Sequence, residues 1–144
     1  MRKAYSTPLF IEVTGGTQMI SVGSKAAYGY DPANGRELWQ LKTDGFSVAC
    51  RPLFGHGLVF LATGSGKSEF LARRPEGRGN VPGTNVVWRT TRGAPKMASP
   101  LLVDDLLFLL ADNGVMRCVE AATGNEVWQE RIGGEYYASP LLAD

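Results

Sequence analysis

Histidine, cysteine and net charge are all scarce in this chain of 144 residues, and each scarcity removes a class of function. A single histidine, His56, means that no histidine triad, histidine–cysteine dyad or multi-histidine metal cluster can be built within the chain. It stands between Gly55 and Gly57, where a turn is expected and where a histidine is a solvated turn residue. The two cysteines, Cys50 and Cys118, are 68 positions apart, which removes any vicinal pair. A net charge of +1 supplies no global field that would draw nucleic acid or a membrane surface. No apolar run approaches the roughly 20 residues that span a bilayer, so membrane insertion is not expected. Met1-Arg2-Lys3 leads into polar, proline-containing sequence rather than the apolar core of a signal peptide, so no export signal is visible.

What the chain does have is repetition. Ser6-Thr7-Pro8-Leu9-Phe10 returns as Cys50-Arg51-Pro52-Leu53-Phe54, as Ala98-Ser99-Pro100-Leu101-Leu102 and as Ala138-Ser139-Pro140-Leu141-Leu142. Trp39, Trp88 and Trp128 fall one to each interval, each closing an apolar run and each followed within six residues by a glycine, Gly45, Gly93 or Gly134. The prolines are spaced by 44, 48 and 40 residues and the tryptophans by 49 and 40, the period of a four-stranded propeller blade. Within the repeat, Cys50 takes a slot held elsewhere by Ser6, Ala98 and Ala138, and Cys118 the slot of Gly29. Both cysteines therefore read as compact core side chains rather than as a disulfide or metal site.

Strand signals fill each interval. The first unit has candidate strands at 9–13, 18–22, 26–30 and 37–42, separated by Gly15-Gly16, Gly23-Ser24 and the turn from Asp31 to Gly35. The second has them at 48–54, 58–62, 69–73 and 86–92, the third at 98–103, 106–111, 115–120 and 126–132, and a fourth unit begins at Tyr136 with one strand. No stretch of a dozen residues keeps helical periodicity without an intervening Gly or Pro. The expected fold is all-β: antiparallel four-stranded blades forming an incomplete propeller arc, three blades plus one strand. As one partial domain over 1–144 it divides into blades at 4–45, 46–93 and 94–134, with the further strand in 135–144. The second unit is longest because residues 74–84, with Pro75, Gly77, Gly79, Pro82 and Gly83, insert a turn-rich loop. That loop is the centre of a basic stretch from Lys67 to Lys96 with seven cations against Glu69 and Glu76.

Asp31-Pro32-Ala33-Asn34-Gly35-Arg36-Glu37-Leu38-Trp39 and Glu120-Ala121-Ala122-Thr123-Gly124-Asn125-Glu126-Val127-Trp128 align without a gap. This pattern, an acid, a turn ending in Asn-Gly or Thr-Gly, then tryptophan four positions on, resembles the tryptophan-docking motif of the PQQ-like β-propeller repeat family, which includes bacterial quinoproteins and outer-membrane-assembly lipoproteins. The glycine supplies the positive φ of a tight turn, the acid can bond the turn's own amides, and the tryptophan buries a flat surface against an adjacent blade. The docking residues so marked are Asp31, Gly35, Trp39, Trp88, Glu120, Gly124 and Trp128. The second unit departs from the motif: Gly83 is five before Trp88, and Asn80 stands where the acid should be.

Other motifs carry less. Gly64-Ser65-Gly66-Lys67-Ser68 ends like a phosphate loop, but Leu61 stands where a glycine is required and a strand follows where a helix is required, so a hairpin turn is expected. Immediately before the repeated proline stand Thr7, Arg51, Ser99 and Ser139, which makes Arg51 a large cation in a slot of small hydroxyls. The resemblance places that strand innermost, so Arg51 is a candidate channel contact for an anion, against the simpler reading of an arginine paired to a carboxylate or reaching solvent. Arg73, Arg74 and Arg78 form a candidate docking loop for an acidic partner, against the simpler reading of a solvated charged loop. No aromatics interleave these cations as a nucleic-acid platform requires.

The resemblance implies a non-catalytic scaffold or binding propeller, exported to the periplasm or a similar compartment, with no catalytic residue, no metal and no cofactor. Its partners would be other proteins or further blades, with self-association possible through open blade edges. Quinone binding is not expected, because the family's quinone enzymes carry a vicinal cysteine pair and a calcium-linked carboxylate beside a stacked tryptophan. Two alternatives stand beside this reading: a fragment of a PQQ-dependent dehydrogenase, and the sensor propeller of a larger signalling protein. The fourth unit starts at 135 and stops after one strand, which reads as a fragment whose Met1 is not the true start.

Overall fold

The computed structural model describes residues 3–81 and 83–143; Met1, Arg2, Pro82 and Asp144, and the expectations that touch them, lie outside the described residues. Every regular element among the described residues is a strand except a short 3-10 turn at Gly83–Asn85. Blade 1 is a meander of β1 (Leu9–Val13), β2 (Gly16–Val22), β3 (Ala26–Tyr30) and β4 (Glu37–Lys42), each antiparallel to the last. Next come a two-residue strand β5 (Gly45–Phe46), then β6 (Leu53–Gly55), β7 (Leu58–Ala62), a two-residue strand β8 (Ser65–Gly66), β9 (Phe70–Arg73), β10 (Gly79–Asn80) and β11 (Val86–Thr90). Blade 2 is the sheet β6-β7-β9-β11, while β5 and β8 pair with each other beside it. Blade 3 consists of β12 (Leu101–Val103), β13 (Leu106–Leu110), β14 (Val115–Glu120) and β15 (Glu126–Arg131).

Alternating side chains turn the two faces of each sheet towards different neighbours, as the pleat demands. Ile20, Val22, Ala27, Trp39 and Leu41 of blade 1 pack on Val59, Leu61 and Leu71 of blade 2. On the other face of blade 2, Phe60, Ala62, Phe70 and Ala72 pack on Leu107, Leu109 and Val119 of blade 3. The core is thus two seams between three blades. This is an all-β, incomplete propeller arc, as the repeat predicts.

Four local expectations are corrected. The first strand of the second unit, expected at 48–54, is only Leu53–Gly55. Val48 and Cys50 are buried without joining the blade's ladder, because this lead segment packs between blades, with Tyr5 N–H donating to Val48 O at 2.7 Å and Ser6 Oγ to Cys50 O at 2.8 Å. The third unit's first strand is shortened in the same way to Leu101–Val103. The strand expected after Tyr136 is absent among the described residues, since residues 135–143 hold no ladder. Their counterpart β12 is a strand because β13 pairs with it. Finally, the insertion at 74–84, exposed over most of its length, is not wholly irregular. Its Gly79–Asn80 pairs in parallel with Trp39 and Gln40 as a fifth strand on blade 1, and Val81 N–H donates to Gln40 O at 2.9 Å while its side chain is buried.

Candidate functional site

The docking turns are built from local hydrogen bonds. In blade 1, Gly35 N–H donates to Asp31 O at 2.8 Å and Asp31 N–H to Arg36 O at 2.8 Å; in blade 3, Gly124 N–H donates to Glu120 O at 2.8 Å and Glu120 N–H to Asn125 O at 2.9 Å. Both glycines have φ of 73°, a left-handed conformation that glycine alone adopts without cost. Asp31 Oδ1 accepts from Ala33 N–H at 3.0 Å, as the motif predicts. Glu120 differs, because its longer chain reaches past the amides and Oε2 accepts from the Thr123 hydroxyl at 2.6 Å.

The three tryptophans share one place in their blades. Trp39 faces Gly29, Trp88 faces Ala72 and Trp128 faces Cys118 across the ladder, beside a bulge in each case. The opposing residue must be small: a methyl on Gly29 would lie 2.2 Å from the Trp39 ring nitrogen. Cys118 is such a residue, buried, with its thiol pushed up by desolvation. Cys50 is likewise buried, its Sγ donating to Ala98 O at 3.2 Å, and burial pushes that thiol up to about 12.

Trp39 and Trp88 each lean on the next blade, in different environments. Trp88 donates from Nε1 to Ala121 O at 2.9 Å and lies against Gly124, where a methyl would sit 2.6 Å from the ring. Trp39 is 0% exposed, with Nε1 donating to Gln18 Oε1 at 2.9 Å. Blade 2 lacks the docking turn and supplies Arg73 instead, whose guanidinium carbon lies 3.7 Å from the ring centroid. Trp128 has no following blade among the described residues and is 39% exposed, touching Phe108 at 6.0 Å between ring centroids. The expectation that every docking tryptophan is buried against a neighbour fails there.

Arg73 is the largest correction among the candidate contacts. It is 0% exposed, because β9 is covered on both faces and alternation sends Arg73, with Leu71, to the blade 1 side over Trp39, so it cannot meet a partner. Nη2 donates to Glu76 O at 2.9 Å, while Nε and Nη1 find no acceptor, and burial lowers its pKa to about 10. Arg74 and Arg78 are exposed, and so is Arg51. The structure therefore does not gather the arginines of the insertion into one patch.

At the slot before the proline, a ladder runs from blade to blade. Arg51 N–H donates to Ser99 Oγ at 2.9 Å, and Ser99 N–H donates to Ser139 Oγ at 2.9 Å. Ser99 and Ser139 each accept a hydrogen bond there from the segment of the unit before, which accounts for a small hydroxyl in the slot. Arg51 offers no hydroxyl to Thr7, and its side chain makes no ion pair or side-chain hydrogen bond among the described residues. It is an exposed cation in the lead segment, two residues before β6.

Sequence reasoning missed two contacts. His56 is not simply solvated: Nε2 lies 2.8 Å from Asp104 O and 3.5 Å from Asp105 Oδ1, tying a blade 2 turn to a blade 3 turn. The repeat spacing could have hinted at this, since His56 and Asp104 are each the fourth residue after their proline. Arg117, buried, donates from Nε to Glu126 Oε2 at 2.7 Å and from Nη1 to Arg92 O. That hydrogen bond, with Arg92 nearby, holds the Glu126 carboxyl below its usual range. Two crevices of about 490 and 370 Å³ open at corresponding places in the seams, one beside His56, Asp105 and Glu120, the other beside Glu12, Phe54 and Glu76.

A family model described as outer membrane protein assembly factor BamB, of the PQQ-like repeat type, matches residues 25–144. Among solved structures, BamB from Moraxella catarrhalis superposes with a TM-score of 0.70 at 18% identity, over 100% of this chain and 45% of that one. A quinohemoprotein alcohol dehydrogenase from Pseudomonas putida HK5 gives 0.68 at 16% identity, over 89% of this chain and 20% of that one. A europium-containing methanol dehydrogenase gives 0.66 at 18% identity, over 89% and 24%. This chain thus spans less than half the length of each. No curated protein sequence matches. The chain belongs to the PQQ-like, BamB-type propeller repeat family.

Proposed function

We propose that this chain is a non-catalytic propeller segment serving as a protein- or ligand-binding scaffold, in an exported, periplasmic setting. The observation that carries the reading is that Trp39, Trp88 and both cysteines, which could otherwise serve quinone chemistry, are already committed to packing. Trp39 and Trp88 are held in seams, and the cysteines lie far apart as buried thiols, Cys50 held protonated to about 12. A vicinal cysteine pair over a stacked quinone does not fit these residues. What is left exposed includes Arg51, in the segment leading into blade 2, with Arg74 and Arg78 in the insertion. These are the contacts expected to meet an anionic group on a ligand or partner.

The rival reading, a piece of a quinone-dependent dehydrogenase, rests on the likeness of fold alone. The discriminating experiment titrates pyrroloquinoline quinone with calcium into the chain and follows tryptophan fluorescence. No saturable change is expected; saturable quenching would favour the dehydrogenase reading. For the scaffold itself, an acidic peptide array is screened against the wild type and against Arg51→Ala. Weaker binding with an unchanged melting temperature supports Arg51 as a contact, and equal binding by the two removes it.

A further inference from the structure

The insertion does something the repeat does not require: it carries a cation from blade 2 to the docking-turn end of blade 1. Gln18 Nε2 donates to Pro75 O at 3.5 Å, and a few residues on Gly79–Asn80 joins the β4 edge opposite Trp39 and Gln40. Arg78 immediately precedes that pair, so the parallel ladder fixes its backbone beside Leu38. There it closes a crevice of about 200 Å³, whose other walls are the β1–β2 turn at 14–18 and the docking turn at Asp31, Arg36 and Leu38.

Two guanidinium groups and one carboxylate line this crevice. Asp31 is engaged within its own turn, Oδ1 accepting from the Ala33 amide and Oδ2 from Asn34 Nδ2 at 2.9 Å, with Arg36 Nη2 4.0 Å away. Arg78 makes no hydrogen bond or ion pair among the described residues. Glu12, which does not line the crevice, accepts from Thr17 Oγ1 at 2.8 Å. The lining therefore keeps one positive charge in excess, presented by two forks that each match a pair of oxygens. A carboxylate supplies one negative charge and two such oxygens, whereas a phosphate dianion would meet Asp31 with charge to spare. The crevices at the same end of blades 2 and 3 are lined by acids instead, Glu12 and Glu76 in one, Asp105 and Glu120 beside His56 in the other, with no lysine or arginine. The crevice in blade 3, built likewise from its own hairpin and docking turn, stays open with blade 2 packed beside it, so the site does not depend on what stands before blade 1.

We propose that the crevice is a carboxylate site, in which Arg36 of the docking turn and Arg78 of the insertion hold one carboxylate of a partner protein, from an acidic side chain or a chain terminus. The site rests on Arg78 being an anion contact, as proposed above, and names the anion. It also gives the two-residue strand β10 a purpose. Pairing with β4 holds the Arg78 backbone in place before the ligand arrives, which lowers the ordering cost of binding. One exposed arginine gains little from an ion pair, while two on a single crevice add geometry to charge.

Nuclear magnetic resonance titrations of the full chain, read at the arginine Nε–H signals and the Gly15 and Gly16 amides, test the site with three probes. These are an end-blocked peptide with one internal glutamate, the same peptide with glutamine and a free C-terminus, and inorganic phosphate. Saturable shifts at Arg36 and Arg78 are expected with a peptide, and whichever peptide binds identifies the source of the carboxylate. Arg36→Ala and Arg78→Ala are each expected to weaken that binding about tenfold, the loss of one charge-assisted hydrogen bond, at unchanged melting temperature because both side chains are exposed. Arg78→Lys, which keeps the charge and loses the fork, is expected to recover part of the loss, and Lys96→Ala, outside the crevice, to bind as the wild type does. No saturable shift with either peptide, or tighter binding of phosphate, would overturn the proposal. Peptide binding that Arg36→Ala and Arg78→Ala leave unchanged would overturn it too, while leaving the scaffold reading to its own test at Arg51.

Discussion

The two seams do the same work with different chemistry. Between blades 2 and 3, a glycine turn clears space for Trp88 and a backbone carbonyl takes its N–H. Between blades 1 and 2, there is no such turn; a buried guanidinium lies over Trp39 and a strand from the insertion closes the blade's outer edge. The lesson is that the repeat conserves the tryptophan's position, while what covers it is open to substitution. A flat ring accepts either a turn's backbone or a planar cation on its face.

The largest expected effect separates the covered tryptophan from the uncovered one. Trp39→Ala should lower unfolding free energy by about 3–5 kcal/mol in denaturant titration, the cost of emptying a packed aromatic site. Trp128→Ala should cost less, about 1 kcal/mol, since the residue is already 39% exposed. Equal losses would break the distinction between closed and open ends.

The glycines give the next contrast. Gly124→Ala meets both a positive φ and the Trp88 ring, and should cost about 2–3 kcal/mol; Gly35→Ala meets only the positive φ, at about 1 kcal/mol. If the two substitutions cost the same, tryptophan docking adds nothing at Gly124.

Cys50 provides a test by pH. Its folded pKa of about 12 stands above an ordinary value of 9.0, so the buried neutral thiol stabilises the fold fully below pH 9 and progressively less as pH rises towards 12. Wild type should therefore lose stability relative to Cys50→Ala between those values, in paired thermal melts. A constant difference would mean that the thiol is not sealed in the seam.

The smallest effect is expected at Arg73. Arg73→Met should change stability by no more than about 1 kcal/mol, since it removes a stacked cation but also two buried donors without acceptors, and Glu76 O keeps its hydrogen bond from Asn85. A loss several times larger would make the guanidinium the main fastener of its seam rather than a replaceable cover.

Much of this was legible in the sequence, for identifiable reasons. Blade 1 contains alternating β-formers bounded by turn residues, and three of its four strands fall at the expected bounds, with β2 beginning two residues early at Gly16. The Asn-Gly and Thr-Gly turns announced themselves because glycine accepts their φ of 73° without cost. Arg73 was not legible: an arginine beside Arg74 in a basic stretch reads as solvated, and only the blades packed on both faces of β9 bury it, with its parity setting it against a distant tryptophan. Gly79–Asn80 was invisible for a related reason. Two residues with poor β-propensity become a strand solely because the edge of β4 is there to receive them. The hydroxyl slot was seen as a composition pattern, but its purpose as a ladder between blades required the third dimension.

That parallel pair has a consequence for the order of events in folding. Repeat arrays are usually sums of neighbouring units, each able to form once its own residues are present. Here the first sheet is finished by residues that lie beyond most of the second, so blade 1 emerging during synthesis waits, with its β4 edge unpaired, until Gly79 and Asn80 arrive. The insertion thereby lengthens the loop that must close and fuses two repeats into one cooperative unit. Amide exchange should find the outer strand of blade 1 opening together with blade 2, rather than fraying alone.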